Sequence, residues 1–181
     1  MSVTFFGLAG GETPTITLDK NFDVAGSHAF IKFQNVKLEE NGASYFINQS
    51  KACTVSEFTL EDCEVSNIKN SFFRLQGSDA KSISKLTLKN SIFTKLCAGY
   101  GFIHIDAKSG AGHLDNVKID GSTFNSICVT GKVFIYSNNT DMQDITIKNS
   151  TFYNCNGNGQ FFVDFGKDAK FGPNTFTIES C

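Results

Sequence analysis

Five positions carry the side chains with the most chemistry in this chain, one per repeat: Asn48, Arg74, His104, Tyr136 and Asp164. They hold the same place in five short runs, "YFINQ", "FFRLQ", "FIHID", "FIYSN" and "FFVDF". An amide, a guanidinium, an imidazole, a phenol and a carboxylate at equivalent places form a row of hydrogen-bond donors and acceptors. Arg74 is the only arginine among sixteen basic residues. Its planar fork is therefore the one group able to hold a carboxylate through two parallel hydrogen bonds.

Two residues before each member of the row stands a phenylalanine: Phe46, Phe72, Phe102, Phe134 and Phe162. Period-two alternation sends the Phe column and the polar column to one face, and the column between them (Ile47, Phe73, Ile103, Ile135, Val163) to the other. With that middle column inward, Phe72, Phe102 and Phe134 become ring platforms for sugar C–H groups beside Arg74, His104, Tyr136, Asn48 and Asp164. The competing reading bends the strand and buries the rings, because an uncovered stripe of five phenylalanines favours aggregation.

Other reactive residues read as structural. The six cysteines (Cys53, Cys63, Cys97, Cys128, Cys155, Cys181) show no CxxC or Cys–His metal spacing and fit small apolar core positions. Cys97 and Cys128 share a register, so a disulfide between them is geometrically conceivable. Asp79, Asp106, Asp115, Asp141 and Asp168 lie in polar loops, where aspartate serves turns. The sequons at Asn48, Asn138 and Asn149 are expected by chance in so Asn- and Ser-rich a chain.

The elements that would position this row repeat. "IKFQNVKL", "FTLEDCEVSNI", "LTLKNSIFTKL", "VKIDGSTFNSI", "ITIKNSTFYNC" and "FTIESC" begin at Ile31, Phe58, Leu86, Val117, Ile145 and Phe176, at intervals of 27 to 31 residues. Each is an alternating strand, a short polar residue, a small residue and then a further strand. No segment offers an amphipathic helix to cover such strands, so the repeats must stack as parallel coils and bury one another. The fold expected is all-β: a single right-handed parallel β-helix of about six coils spanning 1–181.

Two columns test that stacking. Gln34, Glu61, Lys89, Asp120, Lys148 and Glu179 alternate in sign from Glu61 onward, as strands about 4.8 Å apart in register require. Asn35, Asp62, Asn90, Gly121, Asn149 and Ser180 form a polar corner column. Val65, Phe93, Phe124 and Phe152 follow as an inward stack.

A net charge of −2 gives no pull toward nucleic acid or anionic membrane, and no apolar run is long enough to span a bilayer. The start at "MSVTFFGLAGG" lacks the features of a signal peptide, and the ending inside a repeat at Cys181 suggests a segment cut from a longer chain with neighbouring domains.

These repeats, with the opening "FFGLAGGETPTITL", resemble the pectate-lyase-like right-handed parallel β-helix superfamily. They are most similar to its repeat domains of unassigned function in exported proteins of polysaccharide-degrading gut bacteria. The resemblance implies a secreted, periplasmic or cell-surface setting and a polysaccharide or oligosaccharide partner. Polygalacturonases of this fold carry Asn-Thr-Asp, Asp-Asp, Gly-His-Gly and Arg-Ile-Lys motifs. Here "NTD" stands at Asn139 to Asp141 in a polar loop, Gly112-His113 supplies two of the three residues of the third motif, and the others are missing. Lyases of the fold use calcium; acids that alternate with lysines supply no cluster of three carboxylates, so calcium is unsupported rather than excluded, and no other cofactor is expected. The reading is a carbohydrate-associated, non-catalytic module; the alternatives are a lyase or hydrolase acting on acidic glycans, and a structural spacer or adhesin stalk.

Overall fold

Period-two alternation becomes three parallel sheets that share one core. In the computed structural model, residues 1–8, 10–98, 101–108, 111–129, 134–137, 142–157, 163–165 and 176–181 are described, and all strand pairings among them are parallel. The first sheet orders Ser2–Phe6, Gly26–Gln34, Cys53–Glu61, Lys81–Lys89, Gly112–Asp120, Asp144–Lys148 and Phe176–Glu179. The second holds Thr15–Leu18, Lys37–Glu40, Glu64–Ser66, Ile92–Ala98, Thr123–Val129 and Thr151–Tyr153, with Asn156–Gly157 also beside Thr123–Val129. Tyr45–Gln49, Ser71–Leu75, Ile103–Ile105, Ile135–Ser137 and Val163–Phe165 make the third. The chain visits the three sheets in turn, so it is a parallel β-helix with no helix among the described residues. Five turns place a strand in every sheet, a small departure from the six expected. In the turn before them the third strand shrinks to a bridge between Phe22 and Ile47.

The corner between the first and second sheets is set by one residue per coil. Asn35, Asp62, Asn90, Gly121, Asn149 and Ser180 all have φ between 48° and 61°, the left-handed region that short polar residues and glycine tolerate best. After the four corners from Asp62 to Asn149 the next residue, Cys63, Ser91, Ser122 or Ser150, is small and buried. There Ser91, Ser122 and Ser150 form a ladder in which each hydroxyl takes the preceding coil's amide: Cys63 N to Ser91 Oγ at 3.1 Å, Ser91 N to Ser122 Oγ at 3.2 Å, and Ser122 N to Ser150 Oγ at 3.2 Å. A hydroxyl at this point satisfies backbone groups that the corner withdraws from the sheet ladder.

Outside, the charge column pairs Glu61 with Lys89, Lys89 with Asp120, Asp120 with Lys148 and Lys148 with Glu179, as expected. Lys89 reaches Glu61 and Lys148 reaches Glu179, each at 2.7 Å.

Inside run two phenylalanine stacks. Phe93 lies parallel to Phe124 at 4.9 Å, and Phe124 to Phe152 at 4.7 Å. Beside them Phe46, Phe72, Phe102 and Phe134 stack at 5.3, 4.9 and 4.7 Å. The two stacks meet edge to face, with Phe124 at 5.4 Å from Phe102 and 5.2 Å from Phe134. One coil advances the chain by about the spacing at which aromatic rings stack in offset, so one Phe per coil continues each stack.

Candidate functional site

The third sheet's outer face is built by the register of its strands. Asn48 lies opposite Arg74, Arg74 opposite His104, His104 opposite Tyr136, and Tyr136 opposite Asp164, so the row read from the sequence is one continuous column. The side chain of Asp164 lies outside the described residues, as do Phe162 and the Asn139 to Asp141 run.

The phenylalanines do not join that face. Phe72 and Phe102 are 0% exposed and Phe134 5%, so the expectation that they serve as sugar platforms is corrected: their rings belong to the core. The cause is a bend. The amides of Phe72 and Phe73 both donate to the carbonyl of Phe102, each at 3.1 Å, and the pairing steps from Tyr45 opposite Ser71 to Ile47 opposite Phe73, leaving out the phenylalanines between. At the bend two consecutive side chains turn inward, which strict alternation forbids.

Arg74 is held on two sides. Its Nη2 and Nε donate to the carboxylate of Asp106 at 2.6 and 3.3 Å, and its Nη1 donates to the Tyr45 hydroxyl at 3.3 Å, with the guanidinium 5.7 Å from the centre of the Tyr45 ring. His104 places Nε2 3.5 Å from the same carboxylate and sets its ring edge-on to Tyr136 at 5.0 Å. Asn48 accepts from Gln76 at 2.7 Å. His104 is buried although its column faces outward, whereas Arg74, Tyr136, Tyr45, Asn48 and Asp106 are partly exposed.

Burial pushes the Asp106 carboxyl upward, but the hydrogen bonds from His104 and Arg74 outweigh it and hold the group at about 2. Burial likewise pulls Arg74 down, and the Asp106 carboxylate more than reverses the effect. The cluster is therefore a fixed ionic pair at neutral pH. The guanidinium edge suited to an external carboxylate is turned onto Asp106.

Sequence reading assigned Asp106 to turn chemistry and passed over Tyr45. The signal for Asp106 was present: it stands two residues after His104, on the same face, and His104 is opposite Arg74, so Asp106 is the diagonal cross-strand neighbour that a long arginine reaches.

The other candidates are separate from this face. His113 is exposed on the first sheet, and Gly112 is buried where an added Cβ would meet Ala107 Cβ at 2.5 Å. Cys53 and Cys63 are buried and burial raises both thiols, as expected of small core residues, but Cys155 and Cys181 are exposed, so the core reading is corrected for those two. Cys97 and Cys128 are in register, and the side chain of Cys97 lies outside the described residues. Among the described residues no group of three His, Cys, Asp or Glu is arranged to hold a metal ion. Among the described residues no helix is long and apolar enough to cross a membrane. Comparison with protein-family models, with curated proteins and with solved structures finds no match in any of the three.

Proposed function

We propose that this β-helix is a carbohydrate-associated module, of pectate-lyase-like ancestry and from an exported or cell-surface protein, that holds a glycan along its third sheet without turning it over. The observation that carries the reading is the Tyr45–Arg74–Asp106–His104–Tyr136 cluster. In it Arg74, His104 and Tyr136 follow one another in register at about 4.8 Å, a repeat that a chain of hydroxyls can follow, and Tyr45 and Asp106 pre-position Arg74, with His104 the buried member and the other four partly exposed. Arg74 and Asp106 together offer donors and acceptors suited to sugar hydroxyls, while the two tyrosines offer ring surface. The engagement of Arg74 by Asp106 favours hydroxyl recognition over capture of a free uronate. A carboxyl held near 2 has no proton to donate at neutral pH, which favours binding over acid catalysis.

Titration of neutral and uronate-containing oligosaccharides, with an assay for unsaturated uronate, tests this. Binding without turnover is expected. Arg74→Ala and Arg74→Lys should each weaken it about tenfold, about 1.4 kcal/mol, because lysine cannot bridge Asp106 and Tyr45 at once. Turnover would assign an enzyme, and silence across the series would leave a spacer, a reading that the internal pairing of Arg74 favours.

A further inference from the structure

Away from the polar row, the strand Lys37–Glu40 is followed by an Asn-Gly dipeptide, Asn41–Gly42, where several features converge. Asn41 is exposed, and its Nδ2 donates to Asp19 Oδ1 of the preceding coil at 2.9 Å. Gly42 has no Cβ to hinder its nitrogen, and its φ of 139° is a conformation that L side chains rarely adopt. The Gly42 N–H donates to Glu40 Oε1 at 3.2 Å. That carboxylate is 2% exposed and is also paired with Lys69 at 3.1 Å. The amide nitrogen next to an asparagine side chain thus aims its proton at a buried carboxylate.

We propose that Asn41–Gly42 is a self-modification site at which Glu40 acts as the base. The Gly42 nitrogen attacks Cγ of Asn41 as its proton passes to Glu40 Oε1, closing a succinimide ring. The bond from Cγ to Nδ2 then breaks, and ammonia leaves with the proton that Glu40 returns. Water opens the ring at either carbonyl, leaving aspartate or isoaspartate at position 41. The balance is one water consumed and one ammonia released, with no change of oxidation state. Water has access from both sides: Gly42 borders one depression lined by Asp19, Asn21, Asp23 and Ser44, and another lined by Glu40, Asn67, Lys69 and Lys95.

The product weakens the joint between the first two coils. A carboxylate at 41 faces Asp19 where an N–H donated before. In isoaspartate the added backbone methylene falls between the amides of Asn41 and Ala43, which both donate to the Leu18 carbonyl. The modification therefore acts as a timer on the first coil.

The test is peptide mapping by mass spectrometry of the folded protein aged at neutral pH in ¹⁸O water. Asn41 should convert to a mixture containing isoaspartate with ¹⁸O incorporated. Glu40→Gln, which keeps an acceptor for Gly42 N–H but removes the base, should slow conversion about tenfold or more in the folded state and not in denaturant. Lys69→Ala, at a largely exposed side chain, removes the cation that competes with the Gly42 N–H for Glu40 Oε1 and should speed it. Persistence of Asn41 in the folded protein while the unfolded chain converts would overturn the proposal, as would a Lys69→Ala rate at or below wild type. Hydrogen exchange of Thr15–Leu18 should rise in Asn41→Asp; unchanged exchange would refute the timer.

Discussion

Replacing Phe124 by alanine removes the ring at the centre of the aromatic core. Phe124 is 0% exposed, stacks on Phe93 and Phe152 at 4.9 and 4.7 Å, and meets Phe102 and Phe134 edge-on. A buried Phe-to-Ala change costs about 3 to 5 kcal/mol, and the four ring contacts at about 0.5 to 1.5 kcal/mol each place this site toward the upper end. The coils above and below are fixed by their own strand ladders, so the cavity has little means of collapse. Phe5 supplies the comparison. It is partly exposed in the first coil, stacked on Phe33 at 4.6 Å and edge-on to Phe22, and its truncation should cost about half as much. The assay is equilibrium denaturation of Phe124→Ala, Phe5→Ala and wild type followed by two probes, since solenoids can unfold coil by coil. A loss below about 1 kcal/mol at Phe124, or a loss no larger than that at Phe5, would refute the role given to the stacks.

Further outcomes follow from the same geometry. Asn90 sits at φ 48°, so Asn90→Ala should destabilise by about 1 to 2 kcal/mol while Asn90→Gly is nearly neutral; equal losses in a thermal melt would argue against the corner column. Lys89→Glu sets three acids in a row with Glu61 and Asp120, and should lower the melting temperature more than Lys108→Glu in a loop; equal shifts would contradict the ladder. Asp106 is held below its ordinary 3.8, at about 2. Its contribution, on the order of 2 kcal/mol, is therefore complete above pH 3.8 and disappears as pH falls from there to about 2. Acid titration of stability should show that slope in wild type and lack it in Asp106→Asn.

Coil stacking, strand register, the charge column and the polar corners were all legible in the sequence, because each is a local rule repeated every 27 to 31 residues. Repetition turns a weak propensity into a column, and a column can be checked for sign, size and polarity without coordinates. Two facts were not carried by period. Whether Phe72 and Phe102 faced sugar or core depended on a bend that one carbonyl creates by accepting from two amides, and alternation alone cannot report a bend. Whether Arg74 was open to a ligand depended on Asp106, 32 residues away, and on the reach of a long side chain across a diagonal. Both are matters of tertiary structure for the same physical reason. Backbone periodicity states which face a residue belongs to, but burial and pairing are settled only when neighbouring coils bring their own side chains to that face.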